Sequence, residues 1–144
     1  MRQKTLTILI TACFLLAAPL TATTQEKEER YLCVANKATG FYYYEKTKTW
    51  EPINNVMNEK YLIAKATIRK AKFEIIRVGE KSPICWSERG FTSYSEAFFE
   101  CYGGEARFDQ NSGRFLYAYL IGYTDGIENN DNNPHIVIGK CSPF

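Results

Sequence analysis

Histidine is almost missing from this chain: His135 is the only one in 144 residues. A Ser–His or Cys–His nucleophile needs an imidazole base, so any such mechanism would have to run through that one side chain. It follows Pro134 at the start of a predicted strand, where a surface or hydrogen-bonded histidine is the default. No two cysteines stand in C-x-x-C spacing, which removes the usual structural zinc sites. Glycine-rich phosphate loops are absent, and Gly103-Gly104 alone does not cradle a phosphate. No apolar run reaches the roughly 20 residues that a membrane helix requires.

An excess of one charge sign is also lacking. The only apolar stretch of any length, TLTILITACFLLAAPL, follows Arg2 and Lys4 and precedes TATTQ. A basic start, a short apolar run and a small-residue exit describe a secretory signal peptide over residues 1–22, cleaved after Ala22 or Thr24. Ile10-Thr11-Ala12-Cys13 resembles a lipobox, but a lipobox ends its apolar run, whereas Phe14 to Leu20 continue it. Cys13 therefore reads as part of the leader. Without Arg2 and Lys4 the chain keeps 16 basic residues against 16 acidic ones, so its net charge is zero. Nucleic-acid binders carry a basic footprint, and this chain does not.

What remains is about 120 residues, enough for one domain with a real core. A charged lead-in, residues 23–30, precedes a single domain at 31–144. Four cysteines stay in it: Cys33, Cys85, Cys101 and Cys141. An even number in an exported chain reads as disulfides, and three pairings are possible. We expect Cys85–Cys101 as a local clasp and Cys33–Cys141 as a tie between the ends.

The domain is rich in tyrosine and phenylalanine, 10 and 9 residues, and its texture is that of short strands. YLCVA comes first. GFYYY and TWEPI follow, with EKTK as a tight turn between them. In YLIAKATIRKAKFEIIRV, residues 61–78, helix-favouring residues compete with a period of two. The alternation predicts two strands joined by a turn at RKAK, with the Lys and Arg residues on a solvated face. PICWSE is a further strand. Ser93-x-x-Glu96 fits a capping box, although FFECY also suits a strand. DQNSG marks a turn between ARF and RFLYAYL, and HIVIGKC alternates to the end. The expected fold is mainly β: a small, disulfide-tied antiparallel barrel or sandwich of about eight to ten short strands.

The string R-F-L-x-A-Y-L-x-G-Y-x-x-G-x-x-N-N-x-x-x-P, Arg114 to Pro134, followed by Cys141, joins Tyr31-x-Cys33 and the Gly40–Trp50 stretch in a recognisable set. Together they resemble a group of small, exported, uncharacterised proteins of Gram-negative bacteria. The resemblance covers the whole mature chain and implies a periplasmic β domain, with no catalytic residue to carry over. In build the chain is also similar to the periplasmic inhibitors of C-type lysozymes, which begin with a Tyr-x-Cys strand, here Tyr31-Leu32-Cys33. Their Ser-Gly-x-x-Tyr loop has no match: NSGRFLY places Phe115 and Leu116 where that spacing would bring a tyrosine.

The densest polar segment is DGIENNDNNPH, Asp125 to His135. Asp125, Glu128, Asn130, Asp131 and Asn132 offer oxygens to Ca²⁺, but the EF-hand spacing is absent. Asn, Asp and Gly are also what a turn requires, so no metal and no cofactor are expected. Glu88, Glu96, Glu100, Glu105, Asp109, Asp125, Glu128 and Asp131 allow many carboxylate pairs, and a sequence cannot show the roughly 5–10 Å spacing a glycosidase needs. In Phe41-Tyr42-Tyr43-Tyr44, two side chains point each way on a strand, and exposed tyrosines suit protein or sugar contacts. The expectation is an exported, non-enzymatic binding module that meets a protein or glycan of the envelope. Tyr42, Tyr44, Asp125, Glu128, Asn130, Asp131 and His135 are its candidate binding residues. Its alternatives are an inhibitor of a cell-wall hydrolase and a small carboxylate-dependent hydrolase.

Overall fold

The computed structural model describes residues 29–55, 58–92, 94–130 and 132–144. The expected leader, most of the lead-in and the candidate Asp131 lie outside the described residues. Nine strands run in chain order: β1 (Tyr31–Tyr44), β2 (Thr49–Asn55), β3 (Lys60–Lys65), β4 (Phe73–Arg77), β5 (Cys85–Ser87), β6 (Glu96–Cys101), β7 (Gly104–Asp109), β8 (Arg114–Tyr119) and β9 (His135–Pro143). No helix occurs among the described residues. Residues 61–78 form two strands, as their alternation predicts, and Glu96 opens a strand rather than a helical turn because Ala97 and Phe99 share one buried face.

Eight strands close a barrel, β1-β3-β4-β5-β6-β7-β8-β9, and β9 pairs back onto β1. All pairings are antiparallel. The alternation of the sequence becomes the inside and outside of the wall. Cys33, Ile63, Ile75, Phe99, Phe108 and Val137 are wholly or almost wholly buried, with Ala35, Ala97 and Ala106 between the larger side chains. Mixed sizes of this kind fill a small barrel without leaving a channel. Each large buried side chain contributes about 1.5–3 kcal/mol.

Both expected disulfides are present. Cys33 and Cys141 face each other across the β1–β9 seam, and Cys85 and Cys101 across β5–β6. Outside the wall, Glu74 is buried because its carboxylate accepts both the backbone N–H and the hydroxyl of Thr67, each at 3.0 Å. That pair of bonds ties the β3–β4 loop down.

The ninth strand explains the mouth of the barrel. YLCVA and GFYYY are one continuous strand of 14 residues, not two. Its first part pairs with β3 and its last part with β2, while β9 runs along the other side as far as Gly40. A bulge lies between Ala35 and Lys37. Before it, Tyr31, Cys33 and Ala35 point inward; after it, Ala38 packs against the core instead. One extra residue in a strand shifts which side chains face in. Beyond Gly40 the β1–β2 ribbon rises past the barrel wall. Pro52 sits in β2, which pairs only with β1, so its missing N–H costs no ladder bond on the free side.

The two barrel ends differ. One is plugged by rings: Tyr31 lies 4.8 Å from Phe108, and Phe91 lies 4.9 Å from Phe73 and 5.8 Å from Phe108. The other end carries the ribbon and the long 120–134 loop.

Candidate binding cleft at the barrel mouth

The 120–134 loop leaves β8 and returns as β9, and two close backbone approaches set its path. Gly122 has φ +117°, and a Cβ there would stand 1.6 Å from the carbonyl oxygen of Asn132. Gly40, on β1, would place a Cβ 2.3 Å from the carbonyl oxygen of Pro134. Only glycine permits both.

Polar side chains then fasten the loop to the ribbon. The Phe41 N–H donates to the Pro134 carbonyl at 3.0 Å, and the Tyr43 N–H donates to Asn130 Oδ1 at 2.9 Å. The Tyr43 hydroxyl donates to Glu128 Oε2 at 2.8 Å. Burial, then the Glu128 carboxylate, push this phenol above its ordinary range. The Tyr43 ring also meets Trp50, and Trp50 meets Tyr123, both at 5.6 Å between centroids. Asp125 accepts the Ile127 N–H at 2.9 Å, an Asx turn.

The candidate residues therefore separate. Asp125 shapes a turn, while Glu128 and Asn130 hold the loop against Tyr43. Tyr42 and Tyr44 lie on the other side of the ribbon, where their rings meet each other at 6.0 Å. Tyr44 is exposed and Tyr42 half-buried. His135 faces the barrel mouth, stacked on Tyr119 at 5.6 Å and edge-on to Tyr117 at 5.9 Å. Its Nδ1 lies 2.7 Å from the Asn133 carbonyl.

Between ribbon, loop and barrel mouth lies a cleft of about 430 Å³. Its lining joins distant segments: Ala38 and Thr39 of β1, Ile53 and Asn55 of β2, Glu59, Arg77 of β4, Tyr117 and Tyr119 of β8, Asn130, Asn132 and Asn133 of the loop, and His135 of β9. Barrel mouths are a common place for small-molecule sites.

Arg77 is the central charge. It continues the inward row Phe73, Ile75, Arg77 and pairs in register with Tyr61. Its guanidinium carbon lies 5.9 Å from the Tyr61 ring centre, and Nη1 donates to Glu80 Oε1 at 3.3 Å. Glu59 Oε2 accepts the Tyr61 hydroxyl at 2.6 Å and lies 3.5 Å from Arg77 Nε. Burial opposes the Arg77 charge, but Glu59, Tyr61 and Glu80 outweigh it and raise the pKa. Burial, then Glu59, also raise the Tyr61 phenol strongly.

Two buried polar atoms in this lining make no hydrogen bond: Arg77 Nε and Asn133 Oδ1. Nε is nonetheless paired as an ion with Glu59 Oε2 at 3.5 Å. Neither atom is exposed to the cleft, and the charge of Arg77 is met by Glu59 and Glu80.

The sequence-level candidates included one residue of this lining from the barrel, His135, and one from the loop, Asn130. Glu59, Arg77, Tyr117, Tyr119, Asn132 and Asn133 were not among them. Arg77 corrects an expectation: the Lys and Arg residues of 61–78 were expected on a solvated face, but the alternation of β4 turns Arg77 to the side of Phe73 and Ile75, opposite Tyr61.

Among the described residues that line the cleft, Glu59 is the one carboxylate. Glu100 and Glu105 face each other across β6–β7 on the outer wall, with Arg107 beside Glu105 at 3.6 Å. No group of three or more His, Cys, Asp or Glu among the described residues is placed to hold a metal. No described helix is long and apolar enough to cross a membrane. No family model, no curated protein and no solved structure matches the chain.

Proposed function

We propose that this protein is an exported, non-enzymatic binding module that takes its ligand in the cleft at the open barrel mouth. The signal-like N-terminus and the paired cysteines support export to an oxidising compartment, the periplasm or beyond. The observation that carries the binding role is the cleft itself, about 430 Å³ at the barrel mouth, where Arg77, Tyr117, Tyr119, Asn132 and His135 converge from separate segments. The supporting frame is rigid. The opposite end of the barrel is plugged, and two disulfides pin the wall. A ligand therefore meets a preformed site and loses less binding energy to ordering. The loop and the tyrosine-rich ribbon form the rim of this site.

Filling the cleft tests the reading. Asn55 is exposed on β2 at the cleft margin, so Asn55→Trp blocks the cleft without disturbing the core. A fractionated envelope extract should contain a fraction that raises the melting temperature of the native protein and leaves that of Asn55→Trp unchanged. A shift of equal size in both proteins, or in neither, would refute the cleft as the binding site.

A further inference from the structure

We propose that the plugged end of the barrel docks on a membrane surface bearing anionic headgroups, through the β3–β4 loop and the neighbouring loop between β5 and β6. This contact is separate from the cleft, which lies at the opposite end.

Charge is unevenly placed along the barrel axis. The chain without its leader is neutral, yet Lys65, Arg69, Lys70 and Lys72 crowd the β3–β4 hairpin, and Arg89 follows in the next loop at the same end. All five are exposed. Among the described residues none of them has an acidic partner at ion-pair distance, and the ion pairs gather instead on Arg77 and Arg107. Two carboxylates stand against the five cations: Glu88 beside Arg89, and Glu74 buried beneath the loop. Asp109 and Arg114, paired in register at this end, offset each other. The lead-in enters β1 here and takes back one charge, with Glu26, Glu28 and Glu29 against Lys27 and Arg30. An excess of two to three positive charges remains. At the mouth, Glu45, Glu59, Glu80, Asp125 and Glu128 match the lysines and Arg77.

The basic loop is built and held. The Ala66 N–H donates to the Lys72 carbonyl at 2.9 Å, and the Lys72 N–H donates to the Ser87 carbonyl at 2.8 Å. Thr67 is clamped by both of its bonds to Glu74. A carboxylate is costly to bury unless it is bonded, and here its bonds fix the loop. What they hold out to solvent is a tip of Ile68, Arg69 and Lys70, with Ile68 44% exposed. Tyr94, in the adjoining loop, is 85% exposed. Cations meet lipid phosphates while an apolar side chain between them passes into the headgroup layer, and tyrosine favours that interface. A soluble polyanion would use the cations but gain nothing from Ile68 and Tyr94. An acidic protein would need a shaped pocket for each, whereas a bilayer takes both without one. Docked in this way, the barrel turns its mouth away from the membrane.

Co-sedimentation of residues 25–144, which hold the whole barrel, with phosphatidylcholine vesicles that contain or lack phosphatidylglycerol is the test. Anionic vesicles should bind about 25- to 125-fold more strongly than neutral ones, for two to three net cations at about fivefold each, and the binding should fall as salt rises. Arg69→Gln/Lys70→Gln should weaken anionic-vesicle binding about 25-fold. Ile68→Ser should weaken it about three- to tenfold, since roughly half of that side chain is still open to be buried. Both variants change exposed tip residues and should keep the native melting temperature. Lys60→Gln/Lys81→Gln removes two exposed cations from the mouth end and should bind as the native protein does. Equal binding to the two kinds of vesicle, or an equal loss in the mouth and tip variants, would overturn the proposal. So would undiminished binding by Ile68→Ser together with equally tight binding of soluble polyphosphate, an outcome that assigns the patch to a soluble polyanion.

Discussion

The two disulfides close loops of very different length, which makes their removal a quantitative test of how this barrel is held. Cys33 and Cys141 are 108 residues apart, Cys85 and Cys101 only 16. The loop-entropy relation gives about 4.8 kcal/mol for the first at 25 °C and about 3.1 kcal/mol for the second. Because the shorter loop lies inside the longer one, an intact Cys85–Cys101 reduces the effective outer loop to about 92 residues, and the first figure to about 4.6 kcal/mol. Cys33→Ala/Cys141→Ala should therefore destabilise the domain by about 1.5 kcal/mol more than Cys85→Ala/Cys101→Ala. With about 2.1 cal/mol/K of unfolding entropy per residue over the domain, that difference is about 6 °C in melting temperature. Urea unfolding followed by tryptophan fluorescence, with calorimetry on the same samples, measures both quantities. Three of the four cysteines are buried and Cys101 is half-buried, so the packing losses are similar and the ordering reflects loop length. If the Cys85–Cys101 variant proved equally or more destabilised, the unfolded-chain argument would be wrong for this protein.

Two further outcomes follow from the loop and the cleft. Gly122→Ala meets both a φ of +117° and the Asn132 carbonyl; it should cost about 1–3 kcal/mol, and hydrogen exchange should show the Tyr43 amide losing protection as the loop detaches. The phenols of Tyr43, Tyr61, Tyr117 and Tyr119 are all raised, chiefly by burial. A raised phenol contributes stability that is fully present below its unfolded pKa of about 10 and is lost as pH climbs toward the folded value. Thermal melts from pH 8 to 11.5 should fall above about pH 10, and Tyr61→Phe should fall less steeply; an identical alkaline slope in that variant would remove Tyr61 as a cause.

Much of the barrel was legible because its alternation is strong. Ile63 and Ile75, Ala97 and Phe99, and Phe115 and Tyr117 each occupy a buried face at a spacing of two or across paired strands. The turns at EKTK and DQNSG announced themselves through residue type. The disulfide partners fitted one clasp and one tie. The ribbon was harder to read. Whether Tyr43 or its neighbours would be covered depends on the bulge between Ala35 and Lys37, and no residue there advertises an extra position. Tyr43 became the loop's anchor, while Tyr42 and Tyr44 went to the other side. The cleft was the least legible part, since its lining comes from six separated stretches that only barrel closure brings together. Arg77 went against expectation: its charge suggested the solvated face, while its place two residues after Ile75 turned it to the cleft. In the polar loop, Asp125, Glu128 and Asn130 serve to shape or fasten it.

The seam between β1 and β9 also sets the timing of assembly. The strand that completes the wall is the last of the nine, and its partner is the first. A chain synthesised amino end first leaves β1 with half its hydrogen bonds unmet until about a hundred more residues have followed. Contacts this distant in sequence make for slow folding, in the millisecond-to-second range. Cys33 must meanwhile wait beside Cys85 and Cys101, which emerge before Cys141. The short Cys85–Cys101 loop is the cheaper one to close, so the local clasp can form first and the bond across the seam is the last to lock.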